Sequence, residues 1–391
     1  MKNITSIRLI ALVLSLILTL GCVSVSASES SGGAVGANAS LDLACKSAIL
    51  MEASTGRVLY EQNADEPLPP ASVTKIMTLL IVMEAIDSGA LKLDDQVSVS
   101  RNAASMGGSQ VFLEEGETMS VEDMLKSVII SSANDAAVAL AEQVAGSEEA
   151  FVQKMNARAS ELGMKNTCFE NTNGLDDTVT KHLTSARDIA IMSRELIKHE
   201  KILEYSSIWM DTIRNGAFGL TNTNRLVRFY NGATGLKTGS TAKAKFCVSA
   251  TAKRGNMHLI CVVMGAETRD ERNAIASRLL DYGFANYSLF TAQGQKLDEI
   301  KVTGGKEDSC GISYEAFNVV VAKGEENKIT AETVLDESIA APVKIGDAVG
   351  KIVYKNGNVI VGEVMISATE NIEKIKFSQL FGRILAKMLL K

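Results

Sequence analysis

From Ser47 onward the apolar residues fall into short runs and spaced stripes whose period changes along the chain. Ala48-Ile49-Leu50-Met51 is an apolar strand, Ser54-Thr55-Gly56 has turn chemistry, and Val58-Leu59-Tyr60 is a returning strand. After Pro67, Pro69 and Pro70 the spacing becomes helical, with Ile76, Leu79, Leu80, Met83 and Ile86 on one face of residues 72–87. A second helix opens at Ser120, where Asp123 completes a capping box and Met119 can staple against Met124. Its apolar face (Val121, Met124, Leu125, Val128, Ile129) stops at Ser131-Ser132-Ala133-Asn134 and resumes at Val138. Helical spacing returns at 184–198. Strand-like runs follow at 245–252 and 257–264, joined by the hairpin signature Lys253-Arg254-Gly255-Asn256, and a helix at 270–282 closes the pattern. Strands flanking a helical block predict an α+β domain over 41–290. Residues 291–370 read differently: Phe317–Val321, Ile329–Val334, Lys351–Tyr354 and Val359–Ile366, with an Asn356-Gly357 turn, predict a small all-β domain.

The two ends depart from both patterns. Lys2 and Arg8 precede an apolar run, Leu9 to Leu20, and small residues end at Val25-Ser26-Ala27. That is a signal peptide over 1–27, cleaved after Ala27. The run's twelve residues would span only about 18 Å as a helix, short of the roughly 30 Å hydrocarbon core. Cys22 offers a lipoprotein site, but Thr19 stands where such sites want a large apolar residue. Residues 28–40 (SESSGGAVGANAS) form a flexible leader. At the other end, 371–391 predicts an amphipathic helix. Ile375, Leu380, Phe381, Ile384, Leu385, Met388 and Leu389 share a face, and Lys374, Lys376, Arg383, Lys387 and Lys391 supply the charge. The segment 374–391 is about 27 Å long as a helix and interrupted by charge, so it should lie in a membrane interface rather than span it. The alternative is a terminal helix docked on the β-domain.

Charge and composition narrow the chemistry. The chain carries 40 basic and 46 acidic residues, a net −6, which becomes −8 once Lys2 and Arg8 are removed. That balance argues against nucleic acid as a partner. The three His (His182, His199, His258) are dispersed, so a His-based zinc site is not expected. Five Cys remain after residue 27 (Cys45, Cys168, Cys247, Cys261, Cys310), an odd number without regular spacing. Cys247 and Cys261 could face each other across the predicted hairpin, although small buried hydrophobes is the plainer reading of all five.

Three short motifs occur in order: Ser72-Val73-Thr74-Lys75, Ser132-Ala133-Asn134 and Lys237-Thr238-Gly239. Each alone is weak, since a Ser-x-x-Lys arises about once or twice by composition in a chain of this length. Ser72 sits at a helix start, at the positive end of the dipole. Lys75 follows one turn later on the same face. Without His, a serine nucleophile needs another base, and a lysine serves only if burial and a second cation lower its pKa; Lys237 could be that cation. Taken singly, Ser72 could equally be an N-cap, Ser132 to Asn134 a helix–helix turn, and Lys237 a solvated residue at a surface turn. Gly239 would let a substrate backbone approach an edge strand closely.

In combination the motifs resemble the serine penicillin-recognising enzymes, in which the three meet in one cleft. The resemblance extends to the Ala71–Thr78 helix start, the Asn134-Asp135 sequence before an Ala-rich helix, residues 182–190 (HLTSARDIA) and the strand GLKTGST. Together with the layout of leader, catalytic domain, β-domain and tail, these look like the low-molecular-mass D-alanyl-D-alanine carboxypeptidases. The resemblance covers nearly the whole chain after residue 27. It implies a serine β-lactamase/D,D-peptidase-like fold, no metal or organic cofactor, peptidoglycan stem peptides as substrate, β-lactams as covalent inhibitors, and work at the outer face of the cytoplasmic membrane. By position, Ser72 would be the nucleophile and Lys75 its base. Ser132 would relay a proton to the leaving amine and Asn134 would orient Lys75 and the substrate amide. Lys237 and Thr238 would hold the terminal carboxylate, with Arg272 assisting. Backbone N–H groups of Ser72 and Ser240 would form the oxyanion hole beside Gly239. Ser240 stands where some relatives have His. A D,D-endopeptidase and a serine β-lactamase are the rival activities; Glu170-Asn171 lacks the Glu-x-x-Leu-Asn pattern of a class A β-lactamase.

Overall fold

The structure is a computed structural model that describes residues 41–389, so the expected signal segment and leader lie outside the described residues. Strands β1 (Ser47–Glu52), β2 (Val58–Gln62), β3 (Ala233–Thr241), β4 (Lys245–Arg254) and β5 (Met257–Ala266) form one antiparallel sheet in the order β2-β1-β5-β4-β3. Both faces are covered, which is why β1 reads as an unbroken apolar run. Ile49 and Met51 enter the core under the helical block, and Ala48 and Leu50 enter a second core on the opposite face.

The helical block contains α1 (Lys75–Asp87), α2 (Val121–Ile130), α3 (Asn134–Ala145), α4 (Glu148–Glu161) and α5 (Ala186–Leu196). Every residue of α1 from Lys75 to Met83 is buried. The helix is therefore a central one, enclosed all round, rather than the one-faced helix its spacing predicts. Ser120 caps α2 by accepting from the Asp123 amide at 3.2 Å. Across the sheet lies α6 (Arg269–Asn286), opened by a full capping box of Thr268 and Glu271.

Cys247 and Cys261 do not face each other. Register places Cys261 opposite Ala250 and Cys247 opposite Gly239, and the two thiols belong to different cores on opposite faces of the sheet. A three-residue offset in a period-two element turns the side chains apart. Burial pushes both thiols up, Cys247 to about 11, as befits small hydrophobes.

The C-terminal region is richer in strands than its sequence pattern. It holds β6 (Tyr287–Ala292), β7 (Gln295–Thr303), β8 (Ser309–Tyr314), β9 (Phe317–Ala322), β10 (Ile329–Leu335), β11 (Ser338–Ala340), β12 (Ala348–Asn356) and β13 (Val359–Ala368). β6 pairs with β9, and the other six form a sheet in the order β10-β12-β13-β8-β7-β11. β6 runs through the boundary expected at 290 and pairs along its whole length with β9. β7 escapes the period-two test because its register shifts between Leu297 and Ile300 and most of its side chains are exposed. The last element, α7 (Phe377–Leu389), is tied to the β-domain by an Arg383–Asp308 ion pair at 3.1 Å. Phe377, Phe381, Ile384 and Leu385 remain exposed on it, so its apolar face is not docked on the β-domain. No helix among the described residues is long and apolar enough to cross a membrane.

Candidate active site

A single 3-10 turn, Ala71–Thr74, feeds α1 and carries Ser72. Ala71 enters it at φ +50, a left-handed conformation costly for a residue with a Cβ. The turn is held from behind. Thr74 Oγ1 donates to the Ala71 carbonyl at 2.8 Å and lies 2.7 Å from His182 Nε2. His182 Nδ1 accepts from the Glu170 amide at 3.0 Å, so its proton belongs on Nε2, facing Thr74. Burial lowers the His182 pKa to about 4, which keeps the ring neutral.

Lys75, one turn on, is wholly buried. Its Nζ lies 2.9 Å from Ser72 Oγ, 2.5 Å from Asn134 Oδ1 and 2.8 Å from the Asn173 carbonyl. The two carbonyl oxygens can only accept, so they take two N–H bonds. The remaining direction points at the one partner able to donate, the Ser72 hydroxyl. Burial drives the Lys75 pKa well below its usual value, and Lys237 adds to the shift while Asp135 opposes it. The shift favours the neutral amine, and in that form its lone pair would face the serine proton.

The second motif lies where α2 ends and α3 begins. Ser132 adopts φ +63 in that link and is buried. Asn134 starts α3 and is clamped: its amide donates to the Ser109 carbonyl at 2.7 Å and its Nδ2 to the Gly107 carbonyl at 2.6 Å, leaving Oδ1 for Lys75. Asp135, next along, accepts from the Val111 and Leu113 amides at 3.1 and 3.0 Å and so pins the loop that supplies Ser109.

The third motif comes from β3, an edge strand that packs against the turn carrying Ser72. Lys237 Nζ donates to Ser132 Oγ at 2.8 Å and to the Thr238 carbonyl at 3.0 Å. Burial first, and Arg272 second, lower its pKa to about 7. Thr238 Oγ1 bonds Thr223 Oγ1 at 2.8 Å. A Cβ on Gly239 would meet the Pro70 carbonyl at 2.8 Å and the Ser72 and Val73 amides at 2.8 and 2.9 Å. The close neighbour that demands glycine is thus the nucleophile's own turn, not a substrate backbone as the sequence suggests. Arg272 reaches from the first turn of α6 to the Cys247 carbonyl at 3.4 Å and Asn273 Oδ1 at 2.9 Å. It is almost fully buried, and burial with Arg269 lowers its pKa to about 10.

All nine residues singled out in the sequence converge here. Ser72, Ser132, Thr238, Gly239, Ser240 and Arg272 line one open cleft of about 640 Å³. Lys75, Asn134 and Lys237 stand just behind its surface. Sequence reasoning missed Asn173, His182 and Asp135 as parts of this machinery. Asn173 acts through its backbone carbonyl, which no side-chain pattern reveals; His182 and Asp135 stood in recognisable segments but had no visible partner.

A helical block on an antiparallel sheet, with these three motifs meeting at a cleft, defines a serine penicillin-recognising enzyme. Residues 34–268 match the D-alanyl-D-alanine carboxypeptidase family model, and residues 286–374 match the penicillin-binding protein 5 C-terminal domain. Over 339 residues, 85% of this chain and 87% of the relative, the chain is 45% identical to D-alanyl-D-alanine carboxypeptidase DacF of Bacillus subtilis. Penicillin binding protein 5 of Haemophilus influenzae superposes with TM-score 0.75 at 30% identity, covering 88% of this chain and 100% of that one. The ampicillin-bound form of penicillin-binding protein D2 from Listeria monocytogenes superposes with TM-score 0.58 at 34% identity, over 62% of this chain and 99% of that one. The chain belongs to the D-alanyl-D-alanine carboxypeptidase family.

Proposed function

We propose that this serine D-Ala-D-Ala carboxypeptidase trims peptidoglycan stem pentapeptides through an ester on Ser72, with the roles its geometry suggests. The observation that carries the proposal is the buried Lys75 amine, donating to two carbonyls and facing Ser72 Oγ at 2.9 Å. Ser72 Oγ attacks the penultimate D-Ala carbonyl while its proton passes to Lys75 Nζ. The carbonyl oxygen becomes an oxyanion held by the Ser72 and Ser240 backbone N–H groups. The C–N bond then breaks: Ser132 Oγ, held by a hydrogen bond from Lys237, passes its proton to the amine of terminal D-Ala and is reprotonated by Lys75, which returns to the neutral amine. Lys237, Thr238 and Arg272 hold the leaving residue's carboxylate. Water attacks the ester while Lys75 takes its proton, the bond to Ser72 Oγ breaks, and Lys75 returns that proton to Ser72 Oγ, restoring the free enzyme. The ampicillin-bound relative supports β-lactams as ligands of this cleft, and the nucleophilic role of Ser72 would make them covalent inhibitors.

The test is direct. The protein should take a stable label from fluorescent penicillin and release D-Ala from diacetyl-Lys-D-Ala-D-Ala, and Ser72→Ala should do neither. Rapid penicillin turnover without peptide hydrolysis would mean a β-lactamase and overturn this reading.

We also propose that the chain is exported by its N-terminal signal and works at the outer face of the cytoplasmic membrane, seated there by α7. The exposed Phe377, Phe381, Ile384 and Leu385 beside Lys376 and Arg383 support this, because a basic amphipathic helix suits an anionic lipid surface. Deleting residues 374–391 should move the protein from the membrane pellet to the soluble fraction. A truncated form that stays in the pellet refutes the assignment.

A further inference from the structure

The roles above leave part of the cleft unused. Arg225 and Arg228 lie on its wall with Trp209 and Phe229, and Arg269 stands near Arg272, while no Asp or Glu among the described residues lines it. In a chain of net charge −6 this is a local reversal. Arg101, Arg158, Arg187 and Arg214 each meet a carboxylate within 3.1 Å. The Arg228 guanidinium meets none among the described residues. It lies over the Trp209 and Phe229 rings, 5.3 and 5.5 Å from their centroids. Stacking of this kind orients the planar fork without using its N–H donors. Among the described residues Arg225 has only Asp270, at 4.0 Å, a carboxylate that is itself almost fully exposed.

Charge counting gives this wall a purpose. A peptide ending in D-Ala brings one terminal carboxylate, and Lys237 and Arg272 already answer it. Three further guanidinium groups line the same cleft. Arg269 stands beside Arg272, while Arg225 and Arg228 share the wall with Trp209 and Phe229 and call for a second anion. A guanidinium fork fits a carboxylate in two-point geometry. Resting on the carboxypeptidase reading, we propose that Arg225 and Arg228 form a second carboxylate subsite. It selects peptides that carry a free carboxylate besides the terminal one. That group sits either on the side chain of the residue before D-Ala-D-Ala or on the residue that leaves.

Two matched peptide pairs test this and tell the sources apart. In one pair the side chain of the residue before D-Ala-D-Ala ends in a carboxylate or its primary amide. In the other the leaving residue is D-Glu or D-Gln. At low salt the wild-type kcat/KM should favour the carboxylate in one pair by about tenfold, the scale of one charge-assisted hydrogen bond. The ratio should shrink with added salt and fall towards one in Arg225→Gln/Arg228→Gln, with Arg228→Lys restoring part of it. Ratios near one in both wild-type pairs, or a preference that survives the double substitution, overturn the subsite while measured D-Ala release leaves the carboxypeptidase reading intact. No release from any peptide overturns both.

Discussion

Lys75→Met should lower the rate of Ser72 acylation by penicillin by about 10³-fold, within the range general-base removal produces, while the protein stays folded. Met is apolar and of similar length, so it fills the buried volume that Lys75 occupies. What disappears is the only group among the described residues within bonding distance of Ser72 Oγ that can take its proton. The pH profile of the unaltered enzyme should carry the same signature. Lys75 works as a base only when neutral, and burial holds its folded pKa well below the ordinary lysine value. Activity is then present above that depressed pKa and lost as pH falls through it. Lys237 imposes the opposite limb: it grips a carboxylate only when protonated, and its pKa in the free site is about 7. The profile of kcat/KM should therefore be bell-shaped, with the alkaline limb belonging to the free enzyme's carboxylate grip. Stopped-flow acylation across pH checks both limbs. A Lys75→Met enzyme that acylates at the wild-type rate would remove Lys75 from the mechanism.

Gly239→Ala should cost about 10²-fold in acylation, the scale of a displacement near 1 Å at a reacting centre. The added Cβ lands within 2.9 Å of three backbone atoms of the turn that carries Ser72. Backbone cannot swing aside as a flexible side chain can, so β3 and the turn must separate. That separation moves Ser72 away from the Ser240 amide and Lys237 away from Ser132 together. The global fold rests on the two cores flanking the sheet, neither of which includes Gly239, so circular dichroism should match the wild type. The measurement is the second-order acylation rate constant. A variant within twofold of wild type would show that the close contact is not needed for alignment.

Much of the catalytic half was legible before any coordinates. Strongly periodic segments such as 245–254 and 257–266, and caps such as Ser120, report local rules that tertiary packing then reinforces. The motif serines and lysines were legible because their combination is rare. Residues acting through backbone or at a distance were not. Asn173 contributes a carbonyl, and Asp135 contributes by holding amides of a loop more than twenty residues away. Arg225 and Arg228 looked like ordinary surface charge until the fold placed them on the cleft. In the β-domain the pattern lost β6, β7, β8 and β11: β7 and β11 are largely exposed, and the period-two signal depends on one face being buried, while β6 and β8 are only six residues long.

The cations at the cleft bear on the durability of the protein as well as its chemistry. Lys237 and Arg272 are each almost fully removed from water, and burial weakens the hold of each on its proton. Burying charge without a matching anion works against folding, so the resting protein is folded in spite of its cleft. The two apolar cores on either side of the sheet offset that penalty. A bound carboxylate relieves it. The occupied protein is accordingly the sturdier state, and the empty one the state in which further weakening of the core is least tolerated.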